Sequence, residues 1–171
     1  IALLFFSYLD RAFRFQFPEI FYVHIFAIFI LGTIVGPGDP PFGLYYREIF
    51  FDKVLHLINP ILISVIIFFI IDRLQITLKW KLLLVTGVVF GLLGLWEIGE
   101  YLSDVWLGTI NQGVYAGDEI AQLRAKQLSD PLTDTMRDLI FGLSGILTFV
   151  LFKIVQFHLV NGNKQKRKLY L

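Results

Sequence analysis

Cysteine is absent from this chain and charge is scarce. Without a thiol there is no disulfide framework, no zinc finger and no thiol chemistry, and the redox compartment leaves no mark. Only 17% of the 171 residues are charged, against about 25% in an ordinary soluble domain. The net charge is +1, with no basic stripe, which argues against a nucleic-acid partner. There is no internal repeat and no low-complexity segment. The opening run Ile1-Ala2-Leu3-Leu4-Phe5-Phe6 holds no Met, no basic region and no small-residue cleavage site, a poor fit to a signal peptide.

What the chain has instead is hydrocarbon. Hydrophobic residues make up 56% of it, 18 residues are Phe, and the mean hydropathy is +0.69. The apolar residues come in long blocks, so the expectation is one integral membrane domain over residues 1–171, an all-α polytopic bundle. A bilayer core of ~30 Å needs about 20 apolar residues in a helix. Four blocks approach that length: Ile20 to Val35, Val54 to Ile71, Leu82 to Leu102 and Leu139 to Val160. The first is the shortest, opened by Pro18 and closed by Gly36-Pro37. Residues 1–9 are too few to span and read as the end of a fifth helix whose start lies outside this sequence.

Lys and Arg collect on the cytoplasmic side of membrane proteins. With alternating spans, one side receives Arg11, Arg14, Arg73, Lys79, Lys81, Lys164, Lys166, Arg167 and Lys168. The other receives Arg47, Lys53, Arg124, Lys126 and Arg137. That bias puts the basic tail 161–171 in the cytoplasm of a cell-membrane protein, with Lys153 inside the last span and near enough to its end to snorkel. Most of the acidic residues lie on or beside the opposite, extracytoplasmic side, although acidic residues contribute little to topology. The long loop Ser103 to Arg137 is on that side too. It contains an amphipathic stretch, Asp118 to Gln127, that suits a short helix on the membrane surface.

Three helices carry ionisable residues at helical spacing near their outer ends. Asp52, His56 and Asn59 recur at i, i+4 and i+7, which is one helix face. Glu97, Glu100 and Asp104 recur at i, i+3 and i+7, and Asp134 and Asp138 at i, i+4. Gly142 and Gly145 continue the last stripe, and Gly87, Gly91 and Gly94 form another. Small residues let helices approach closely, so the acidic ends should converge beneath the long loop.

Several of these residues have a structural reading. Asp52 can cap its helix, Asp130-Pro131 has the form of an N-cap followed by Pro at N1, and carboxylates in early turns are favoured by the helix dipole. Glu97 and Glu100 resist that account. They lie at a helix C-terminus, where the dipole disfavours negative charge, behind the apolar run Leu92-Leu93-Gly94-Leu95-Trp96. Charges within a membrane are expensive and mark function by default, and two carboxylates one turn apart call for a cation or a shared proton.

Asp52, His56, Glu97, Glu100, Asp134 and Asp138 are therefore the candidate ligands of a divalent metal. Oxygen-rich ligation suits Mg, Mn or Ca, and an added His admits Fe or Zn. Glu100 is the candidate general base. Arg137 can pair with a neighbouring carboxylate or clamp a phosphate, and Arg47 stands to the same test. Trp96, Trp106, Tyr45, Tyr46 and Tyr101 read as an aromatic belt, and His24 and His158 as structural or interfacial.

Phe51-Asp52-Lys53-Val54-Leu55-His56, Trp96-Glu97-Ile98-Gly99-Glu100 and Asp134-Thr135-Met136-Arg137-Asp138-Leu139 resemble, in type and order, the motifs of the uncharacterised YjdF-like membrane-spanning proteins of prokaryotes. The likeness runs roughly from Arg11 to Phe152. VanZ-like proteins, associated with glycopeptide tolerance, are more loosely similar. They share an Asp-Lys-x-x-His element, but Asp138 stands where they usually have Asn. Both resemblances imply the fold and the site without naming a reaction.

Three functions remain in competition. One is a metal-dependent enzyme acting at the outer leaflet on a lipid or lipid-linked phosphate head group. Another is a non-catalytic accessory or scaffold subunit of a larger membrane complex, its acidic cluster stapling helices together. The third is a cation or proton carrier, which should show a second polar cluster on the cytoplasmic half and an inverted repeat. The sequence has neither.

Overall fold

The computed structural model describes residues 2–35, 44, 50–109, 111–112, 114–115 and 127–169. It is built from helices: α1 (Ala2–Phe13), α2 (Glu19–Ile30) running into a π-helical turn (Leu31–Val35), α3 (Phe51–Ile71), α4 (Leu78–Leu107) and α5 (Pro131–Leu169). Two short strands, β1 (Val114–Tyr115) and β2 (Gln127–Ser129), pair antiparallel between α4 and α5.

Three helices are long and apolar enough to cross a membrane: Phe51–Ile71, Leu78–Leu107 and Pro131–Val160. The expected first span differs. Its α-helical part, α2, has 12 residues, a rise of about 18 Å, short of a ~30 Å core. The other three expected spans are longer in the structure than their apolar blocks, because polar residues at the ends extend the helices. Thus α3 starts at Phe51, before Val54, and α5 at Pro131, before Leu139. The expected loop from Ser103 to Arg137 narrows to residues 108–130, and the basic tail continues α5 as far as Leu169.

The core explains how the helices are aimed. On α4 the buried residues are Leu82, Val85, Val89, Leu93 and Glu97, spaced by three and then four residues so that they form one stripe. The four apolar ones pack on Ile71 of α3 and on Ile146 and Phe149 of α5. The α5 stripe is Asp134, Asp138, Gly142, Gly145, Ile146 and Phe149. Both stripes are apolar over most of their length and ionisable at one end, the end where α3 starts, α4 finishes and α5 starts. We call it the loop end.

Two glycines bring α5 close to its neighbours. A Cβ on Gly145 would strike the carbonyl oxygen of Leu57 on α3, and one on Gly142 would strike the Leu93 side chain of α4. The other stripe behaves differently from the expectation. Gly87, Gly91 and Gly94 have nothing within 4 Å of a built Cβ among the described residues. They lie on the far side of α4 from Val85, Val89 and Leu93, so among the described residues they bring no helix closer.

The opposite end is fastened by a different set of contacts. Asp10 of α1 accepts hydrogen bonds from the Phe17 backbone N–H (3.1 Å) and the Tyr22 hydroxyl (2.7 Å), closing a turn in which Arg14 and Gln16 take left-handed backbone angles. Phe17 and Phe21 then pack on Ile66 of α3. Arg73 lies over the Phe69 ring at 5.0 Å and donates to the Phe15 carbonyl. Lys81 closes the α3–α4 turn by donating to the Asp72 carbonyl (2.7 Å) and carboxylate (2.8 Å). Lys153 rests over the Phe68 ring at 4.4 Å.

Candidate functional site

The loop end is prepared by local capping. Asp130 accepts a hydrogen bond from the Thr133 backbone N–H at 3.0 Å, so it caps α5 with Pro131 at the first helical position, as the sequence suggested. Its carboxyl is held below the ordinary aspartate range by the Thr133 hydroxyl and then the Thr133 N–H. The α4 helix ends on Gly108, whose φ of 68° is the left-handed conformation that glycine adopts without steric cost. Asp104 then accepts from the Thr109 hydroxyl (2.6 Å) and from the backbone N–H groups of Asn111 (2.8 Å) and Gln112 (2.8 Å). It organises the exit of α4 and takes no part in the cluster below.

The cluster centres on a lysine. Lys53, in the first turn of α3, is 5% exposed. Its ammonium donates to Asp134 Oδ1 (2.5 Å), Asp138 Oδ1 (2.6 Å) and Asp52 Oδ2 (3.0 Å). Asp134 and Asp138 are buried as well. Removing such charges from water costs several kcal/mol per ion, recovered only where pairing and hydrogen bonding are good. Here three carboxylates on two helices close on one ammonium.

His56 lies one turn further along α3 and is also buried. Its Nε2 is 3.6 Å from Asp52 Oδ1 and 4.0 Å from Asp138 Oδ1, and its Nδ1 is 3.7 Å from Glu97 Oε1. None of these is a hydrogen bond. Glu97 is 5% exposed, and its Oε1 is buried without a hydrogen-bond partner. Asp52, His56 and Asp138 each offer a ligand atom, all within 4.8 Å of one another.

Of the expected site residues, the structure therefore brings together Asp52, His56, Glu97, Asp134 and Asp138. It leaves two to one side. Glu100 is half-buried and accepts a hydrogen bond from the Trp96 indole N–H at 2.7 Å, so this belt residue has a polar partner of its own. Arg137 is exposed and makes no ion pair among the described residues. It lies between the two inward-facing aspartates in sequence, but the helix turns its side chain away from them. Arg47, Tyr45, Tyr46 and residues 118–126 of the expected surface helix lie outside the described residues. Gln127, the last residue of that stretch, opens β2.

Lys53 is the residue that sequence reasoning passed over. It was counted as a loop charge because the apolar block starts at Val54. The signal was present in the spacing, since Lys53 and His56 stand at i, i+3 and so share a helix face.

The fold defines a polytopic helical membrane protein with a buried ion-pair cluster at one end. The chain belongs to the family described as Predicted membrane protein (DUF2238), whose model matches residues 1–158. The YjdF-like likeness is consistent with that membership. No curated protein and no solved structure matches the chain.

Proposed function

We propose that this protein holds a divalent cation at Asp52, His56 and Asp138, with Glu97 behind the histidine, at the extracytoplasmic end of the bundle, and uses it to act on a lipid or lipid-linked head group. One observation carries the reading: the buried, unpartnered Glu97 Oε1 faces a histidine that itself stands between two carboxylates without hydrogen-bonding either. An unsatisfied buried acceptor is costly; a cation between Asp52, Asp138 and His56 Nε2 would fill that side of the ring, while Glu97, against the other nitrogen Nδ1, would orient the histidine from behind. Oxygen donors with one imidazole admit Mg, Mn, Ca, Fe or Zn.

Such an ion polarises a phosphoryl or carbonyl oxygen or activates water. Glu100, one turn beyond Glu97, is the nearby carboxylate for general-base work. Arg137, exposed at the rim, is placed to meet an anionic head group from outside. Asp134, expected among the ligands, serves the ammonium of Lys53. The excess of Lys and Arg in the opposite loops supports the orientation. A fourth full span would use α2 together with its π-helical turn. The VanZ-like likeness adds no reaction.

Lys53 favours a second reading. By satisfying Asp134 and Asp138 it makes the cluster a staple between α3 and α5, which suits an accessory subunit of a membrane complex. Elemental mass spectrometry of purified protein separates the two, with wild type beside His56→Gln and Glu97→Gln. A stoichiometric metal present in wild type and lost from both folded variants supports the first. Metal-free wild type, purified without chelator and folded, overturns it.

A further inference from the structure

We propose that Lys53 is the resident counter-cation of this site, and that a divalent ion loads by displacing its ammonium from Asp52 and Asp138 onto Asp134. The inference rests on the metal reading above and states what controls it.

The argument is one of shared oxygens. Two donors bound to one ion at ~2.1 Å stand about 3 Å apart. Asp52 Oδ1 and Asp138 Oδ1 are 3.6 and 4.0 Å from His56 Nε2, so each must draw in by about 1 Å or less. Asp138 Oδ1 is held by Lys53 at 2.6 Å, and the other oxygen of Asp52 by the same ammonium at 3.0 Å. An ion placed between the two carboxylates and His56 therefore stands only a few ångströms from the Lys53 charge, in surroundings that screen poorly. The two cations compete for the same carboxylates.

Asp134 offers Lys53 a way out. It lies one turn before Asp138 on the same face of α5 and accepts from Lys53 at 2.5 Å. The ammonium can thus leave Asp138 and Asp52 without losing every partner. His56 gives an independent reason to place the ion on its Nε2 side. The ring is buried and hydrogen-bonds to none of the carboxylates around it, and Glu97, 3.7 Å from the other nitrogen Nδ1, is placed to take the Nδ1 proton and leave Nε2 for the ion.

Manganese(II) binding to the full chain in detergent tests this, read by electron paramagnetic resonance for wild type, Lys53→Met and Lys53→Arg. Lys53→Met, which keeps the length and removes the charge, should bind roughly tenfold tighter or more, and Lys53→Arg should stay near wild type. Should Lys53→Met fail to fold, wild type alone decides through acylation of Lys53 by an amine-reactive reagent, followed by mass spectrometry. Losing two of its three carboxylates to manganese should make the Lys53 amine more reactive toward a small reagent, although it stays beside Asp134. Equal binding by all three proteins, or labelling unchanged in wild type that binds manganese, overturns the displacement while the metal site stands. No manganese binding in any protein overturns both.

Discussion

Lys53 Nζ lies 2.6 Å from Asp138 Oδ1, joining the first turn of α3 to the second turn of α5 with both side chains nearly sealed from solvent. These two helices run in the same direction through the bundle, so no tight turn sets their relative height. The ion pair and the Gly145–Leu57 approach fix it instead.

Breaking that pair from the lysine side should be the more damaging change. Lys53→Met leaves Asp134 and Asp138 buried without their cation, and removing one partner of a buried pair costs about 3–5 kcal/mol. Asp138→Asn leaves Lys53 with Asp134 and Asp52 and should cost less. Neutralising both aspartates together with Lys53 should recover most of the loss. Thermal unfolding in detergent reads all three. If Lys53→Met unfolds no earlier than Asp138→Asn, the cluster is not organised around its ammonium.

The glycine stripes make a paired prediction. Gly145→Ala drives a Cβ into the backbone carbonyl of Leu57, which cannot yield without moving α3, so a loss of about 1–3 kcal/mol is expected. Gly142→Ala meets only the flexible end of Leu93 and should cost less. Gly91→Ala faces open space among the described residues and should gain up to about 1 kcal/mol in helix propensity. The order of the three melting temperatures is the measurement. Destabilisation by Gly91→Ala would show that this face is covered in the assembled protein.

Capping gives a pH-dependent prediction outside the membrane. Because the Asp130 carboxyl is held below its ordinary value by Thr133, its stabilising effect is complete above the unfolded aspartate value of about 3.9. The effect is lost as pH falls through the lower, folded value. Asp130→Ala should therefore melt earlier than wild type at neutral pH, and the gap should close in acid. Asp130→Asn, which still accepts from the Thr133 N–H, should lose less at neutral pH. A gap of constant size down to strongly acid conditions would rule out the ionised cap.

Hydrophobic blocks made the three long helices legible in the sequence, because lipid leaves the backbone little choice but helix. The blocks misplaced the helix ends, since capping residues and ion pairs decide those. Asp130-Pro131 was readable because a cap is local. Lys53 carries only a weak local mark, the helix face it shares with His56, because its partners lie on α5, more than 80 residues along the chain. The same limit applies to the glycines. Gly142 and Gly87 look alike in a sequence stripe, and only the packing shows that one faces Leu93 and the other open space. Glu97 stands out in the sequence for reasons of dipole and depth and is buried in the structure, whereas Glu100, one turn on, has its own partner in Trp96.

Glu97 offers the last prediction. A carboxylate that is 5% exposed and has one oxygen unpartnered is a burden on the fold unless something binds it. Replacing it with the isosteric, uncharged Gln removes a buried charge, and in metal-free buffer Glu97→Gln should be more stable than wild type by about 1–3 kcal/mol. Adding manganese should reverse the order, since a ligand that binds only the native state raises stability with its concentration, and Glu97→Gln would have lost the carboxylate that orients His56 toward it. A carboxylate retained only for packing predicts no such crossing. Melting curves of the two proteins with chelator and with manganese are sufficient: crossing order ties the cost of Glu97 to cation binding through His56, and an unchanged order removes Glu97 from the site.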